Sequence, residues 1–202
     1  MQQSEIKTSN FPKPLDLVNV CIYGLSLLST GLFLFLPLAN LLHPSPWQRW
    51  MGMIHGLAAT IATLVIVFTG HLAFPLLRRV GKILPQLRTI CLWSSILAFL
   101  AIASGNWVYM RYRAPIGGAR AWIRENTPLV HYLFMEYHEF TVLFTLPLGV
   151  ACTWILWQYG DSILQKKNYP VLATVAIGLM AMMFYSLGGF VSGLNVAKIH
   201  TL

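Results

Sequence analysis

PLVHYLFMEYHEFTVLFTLPLGVACTWILWQY, residues 128–159, decides the fold. At about 1.5 Å of rise per residue this run is long enough, as a helix, to cross roughly 30 Å of hydrocarbon. Yet its first part carries His131, Glu136, His138 and Glu139. Ionisable side chains inside a bilayer are costly, so they turn to a cavity, a partner or a cofactor. The whole chain has only six acidic residues, and two of them stand here.

Composition bounds the class. The 202 residues are 56% hydrophobic and only 10% charged, against about a quarter charged in a soluble domain. Most of the surface is therefore expected to face something other than water. The expectation is an all-α integral membrane bundle. The net charge of +8 is read as loop cations meeting lipid headgroups and setting topology. No basic run on a soluble module points to nucleic acid. Cys21, Cys91 and Cys152 all fall in apolar segments and form no C-x-x-C pair, so they read as small buried hydrophobes. A covalent haem motif, C-x-x-C-H, is absent from the sequence.

Five apolar segments predict five transmembrane helices, at about 17–42, 51–74, 89–109, 129–158 and 170–195. They form a single bundle over residues 17–202, behind a polar tail at 1–16 that reads as a cytoplasmic lead-in and not as a secretory signal. Pro75 is expected to end the second span, and Thr127-Pro128 to cap and open the fourth. Lysine and arginine counts place the N-terminus inside and the C-terminus on the opposite side. The membrane expected is a bacterial inner membrane or a thylakoid. The connection at 111–127, RYRAPIGGARAWIRENT, predicts a short interfacial helix over 119–125. Its four arginines suit anionic groups: headgroups, haem propionates or an acidic partner surface.

The histidines supply the chemistry. On a regular helix His131, Met135 and His138 share one face, with Glu139 at its edge. The second span carries His55 near one end and His71 near the other. His55 shares its stripe with Ala58, Ala59, Ala62, Thr69 and Gly70, which fits either close helix packing or room for a flat macrocycle. Spans two and four run in the same direction, so His55 and the His131–His138 pair fall at one depth. Two imidazoles facing each other at one level are what a six-coordinate haem needs. His71 has no such partner, and His43 and His200 fall at helix ends. Glu136 and Glu139 read either as proton-transfer or supporting groups beside a cofactor, or as ion-pair partners of Arg111 or Arg113.

This placement of histidines on the second and fourth spans resembles the transmembrane b-type cytochromes. The resemblance implies one haem b held by His55 and His138, with His131 as the alternative ligand and Arg111 and Arg113 near the propionates. Quinol-oxidising members carry two histidines some fourteen residues apart on both helices, whereas the spacings here are 16 and seven, so a second haem is not implied. The expected function is an electron-transfer subunit passing single electrons between a quinone and a partner redox protein in or on the membrane. The competing readings are a cofactor-free structural or assembly subunit, a pigment-binding accessory subunit whose chlorin needs one histidine, and a non-haem metal site. The spacing speaks against the last.

Overall fold

The computed structural model describes residues 47–199 and, ahead of them, Tyr23, Gly24 and Leu27. Apart from those three residues, the first expected span lies outside the described residues, as do the polar tail, Cys21, His43 and His200. Every described element is helical. Four stretches, Trp50–Leu77, Gly81–Tyr112, Val130–Leu164 and Lys166–Ile199, are long and apolar enough to cross a membrane.

Helix α1 (Trp47–His71) does not run on to Pro75 as expected. The chain turns at Leu72, and a short helix α2 (Ala73–Leu77) takes Pro75 into its first turn, where a missing N–H forfeits no helical bond. Pro85 likewise opens α3 (Leu84–Tyr112), which begins earlier and ends later than the expected 89–109. The interfacial helix is present as α4 (Ala119–Asn126), anchored by buried Ala119 and Ile123, four residues apart on one face. Thr127 does not cap the next helix with its hydroxyl. That group donates back to the Ile123 carbonyl at 3.2 Å, while the Thr127 carbonyl accepts the N–H of Val130 at 2.9 Å.

The fourth span holds the largest surprise. Val130–Met135 winds as a wider π-type turn before α5 (Glu136–Tyr159) continues as a regular helix. Gly160, at φ +55°, stops α5. Two tight turns then lead into α6 (Tyr169–Ile199).

The four long helices close a ring in the order α1, α3, α5, α6, each packed on its two neighbours and antiparallel to both. Helices α1 and α5 therefore stand diagonally and run in parallel. One end of the ring carries Arg111, Arg113, Arg120 and Arg124, and is here called the arginine end. The opposite end carries Arg78, Arg79, Lys82, Lys166 and Lys167.

Packing is uneven along the axis. At the end away from the arginines, Leu76, Leu84, Leu87, Leu156, Ile163 and Leu172 form a fully buried core. Midway, Ala62, Ile66, Ala98 and Met182 continue it. Small residues and hydroxyls lock this half: Thr69 and Ser94 share a hydrogen bond at 2.7 Å, and Thr153 lies 3.3 Å from both Ser95 Oγ and Cys91 Sγ. Small and hydroxyl-bearing residues of this kind let helices approach closely and hydrogen-bond across their interface. A Cβ at Gly178 would stand 2.7 Å from Cys152 Sγ, and one at Gly149 2.7 Å from Ser95 Oγ. The small stripe of α1 takes part: Ala62, Thr69 and Gly70 are buried, with Gly70 against Met183. Their role is close packing. At the arginine end Tyr112, Ile123, Met135 and Val196 form a separate small core.

Gly149→Val tests this half. Its Cβ would stand 2.7 Å from Ser95 Oγ and 3.0 Å from Met182 Cε, so these must shift and the variant should lose about 1–3 kcal/mol of stability, read as a lowered unfolding temperature in detergent. Leu57→Ala, on the exposed side of α1, should leave that temperature nearly unchanged.

Candidate functional site

Between the middle core and the arginine-end core lies a layer of a different kind. Helix α3 has no buried residue between Ala98 and Met110, and α1 has none from Met51 to Ile61. His55 of α1 and His138 of α5 both stand in this layer, partly buried. They are close enough for a charge on one to act on the other.

The two are held in the same way. His55 Nδ1 lies 3.0 Å from the carbonyl oxygen of Ala101 on α3. His138 Nδ1 lies 2.6 Å from the carbonyl oxygen of Gly189 on α6. A carbonyl can only accept, so each imidazole must carry its proton on Nδ1. Each Nε2 is then left with its lone pair. One turn beyond each acceptor stands a glycine against the ring. A Cβ at Gly105 would fall 2.9 Å from His55 Cε1, and one at Gly193 would fall 3.0 Å from His138 Cε1. The motif is therefore repeated across the diagonal: an imidazole, a carbonyl on the next helix, and a glycine four residues on. Ser104 adds a contact of 3.4 Å to His55 Nδ1.

His131 is placed differently. On a regular helix it shares a face with His138, but a π-type turn advances fewer degrees per residue and rotates it away. It is 2% exposed and packs on α3, where its Nδ1 pairs with the Tyr112 hydroxyl at 2.7 Å. Its Nε2 stands 3.8 Å from Glu136. Both ring nitrogens thus face protein partners. His71 is exposed, with Nδ1 2.9 Å from the Val67 carbonyl of its own helix.

The carboxylates divide in the same manner. Glu139 accepts a hydrogen bond from the Tyr109 hydroxyl at 2.8 Å. Arg113 lies over the Tyr109 ring, 4.7 Å from its centroid. Glu136 is half exposed and faces His131. Neither carboxylate forms a salt bridge with Arg111 or Arg113; among the described residues the two ion pairs are Arg88–Asp161 and His131–Glu136. Arg111, in the last turn of α3, is partly buried.

Two features at this level carried no mark in the residue pattern, and a third was marked only as one of four loop arginines. Tyr109 and Tyr112 hold Glu139 and His131 of the fourth span. Gly105 receives the His55 ring. Arg120, on α4, has a buried Nε with no hydrogen-bond partner, although its charge acts on Tyr109, Tyr112, His131 and Glu139. The signal for Gly105 was available in the small run Ala101, Ser104, Gly105 on the third span. No group of three or more His, Cys, Asp or Glu able to hold a bare metal ion occurs among the described residues.

Tyr112→Phe isolates the His131 lock. It strands a buried imidazole nitrogen, which should lower stability by about 1–3 kcal/mol, measured by unfolding in detergent. Tyr132→Phe, on the exposed side of the same turn, should change it little.

Searches against protein-family models, curated proteins and solved structures find no match to this chain.

Proposed function

We propose that this chain is an integral membrane electron carrier that binds one b-type haem between His55 and His138 and passes single electrons between a quinone and a partner redox protein. The observation that carries the reading is the repeated imidazole–carbonyl–glycine arrangement. A histidine that ligates a metal commonly donates its other ring N–H to a backbone carbonyl or a carboxylate, which fixes tautomer and orientation. Both histidines here do so with carbonyls of different helices, and both keep Nε2 for a ligand.

Two further observations fit a flat, acidic macrocycle. Glycine stands where each imidazole meets the neighbouring helix, so the rings sit close to backbone. Arg120 has a buried donor still in want of an acceptor, and a buried orphan donor calls for a partner. A propionate is such an acceptor. Arg120 and Arg113 are the residues of this chain that would hold propionates, by charge-assisted hydrogen bonds, with Arg111 beyond them in the last turn of α3.

When bound, haem supplies a one-electron couple whose potential follows from its axial ligands and burial. The chain's own groups do the rest. The Ala101 and Gly189 carbonyls hold the imidazoles against rotation. The buried cores on either side of the histidine layer exclude water. Tyr109 and Glu139 put a phenol and a carboxylate at the same end, where protons released by a hydroquinone need acceptors. The apolar outer faces, with Leu57, Ile61, Leu64, Phe68, Ile177 and Phe184 exposed, would contact lipid. The N-terminus lies on the cytoplasmic side in this reading.

A pyridine haemochrome spectrum of the purified protein tests the proposal. Iron protoporphyrin is expected at one per chain, and its absence would leave a cofactor-free scaffold or a chlorin binder as the surviving reading. His55→Leu and His138→Leu should each abolish the low-spin spectrum, while His131→Leu should keep it with lower stability. Arg120→Leu should speed haem transfer to excess apomyoglobin roughly tenfold, the equivalent of ~1.4 kcal/mol.

A further inference from the structure

The two halves of the bundle differ so sharply that the direction of electron flow follows from them. His55 lies eight residues from the start of α1 at the arginine end and 16 residues from its other end at His71, with the turn and α2 beyond, about 12 Å against about 24 Å of helix. His138 repeats this on α5, eight residues from Val130 and 21 from Tyr159, about 12 Å against about 32 Å. A group held between them is near one surface and remote from the other.

The longer path offers no relay among the described residues. One haem spacing further in, the diagonal positions on α1 and α5 fall at Thr69 and Cys152. Thr69 is tied to Ser94 and Cys152 donates to the Val175 carbonyl at 3.7 Å. Ser186 donates to Thr63 at 3.2 Å across α1 and α6. The interior there is closed by side chains touching glycines, as at Gly149 and Gly178, and then by the fully buried aliphatic core. His71, the histidine on that side, is exposed and turned to its own helix. Among the described residues a second macrocycle would find neither a histidine pair nor room. Electron tunnelling falls exponentially with distance, so a saturated core of this depth insulates.

From this we infer that the chain does not move electrons across the membrane: the donor and the acceptor both exchange at the arginine end. The inference rests on the proposed haem site. In each cycle a hydroquinone at that end gives up two electrons singly and releases two protons to water or to carboxylates there. Each electron reduces a one-electron acceptor docked at the same end by one unit. No charge crosses the bilayer and no membrane potential is built.

The experiment uses the full chain with its haem in sealed vesicles that hold ferricyanide, with dithionite added outside. Chains whose arginine end faces out should be reduced and stay reduced. Lumenal ferricyanide should disappear no faster than in protein-free vesicles. The outward fraction is counted with an impermeant maleimide on Ile116→Cys in a Cys21→Ala background, since Ile116 is 68% exposed in the arginine loop. Haem reduced should equal that fraction. Consumption of lumenal ferricyanide in proportion to protein, reduction of inward-facing chains, or two haems per chain would overturn the inference and leave the haem reading standing. No haem at all would end both.

Discussion

The two hydrogen bonds from imidazole Nδ1 to the backbone of a neighbouring helix set the terms for the rest of this molecule. A side chain bonded within its own helix can turn with it, as His71 does. His55 and His138 are instead tied to α3 and α6, so their rings cannot move without moving the bundle. The bond also settles the tautomer, because a carbonyl has nothing to donate. It further requires that the two backbones approach closely, which is why glycine faces each ring. Orientation, protonation and helix spacing thus follow from one contact made twice.

That requirement divides the bundle along its length. Away from the arginines, hydroxyls, thiols and glycines bring the helices into close contact, and Leu156, Leu172 and their neighbours fill what remains. In the histidine layer the same helices stay partly accessible. Beyond it, Tyr112, Ile123 and Val196 close the interior under α4, while Tyr109 and Tyr112 satisfy a carboxylate and an imidazole. Of the polar groups that looked out of place in the fourth span, His131 and Glu139 find partners on α3, His138 finds one on α6, and Glu136 faces His131.

Much of this was legible in the residues. Composition and segment length predicted the helices, and the arginine-rich connection predicted α4. Two helix ends shifted because prolines at 75 and 85 sit inside first turns, where their lost N–H is harmless; a proline read as a stop can equally be a start. The placement of spans two and four in parallel, with histidines at one depth, followed from chain direction alone; the ring order makes them diagonal. His131 escaped this reasoning because it assumed an even 100° per residue. Gly105 escaped, and Arg120 stood out no more than the other three loop arginines, because their meaning lies in what they approach: a buried guanidinium nitrogen and an absent Cβ acquire significance only when the opposing helix is in place. That His55 and His138 share one level could be anticipated from sequence; their carbonyl partners could not, since every residue has one.

The wide turn at Val130–Met135 has a consequence of its own. It works as a phase shifter between two side chains that a uniform helix would aim at the same target. By slipping the helical register once, the span sends one imidazole toward α3 for structural duty and keeps the other for α6 and the interior. Regularising that turn while preserving every residue would swing His131 back toward the face that carries His138. The economy of the arrangement is that two identical groups on one helix are assigned to different tasks by backbone geometry and not by sequence spacing.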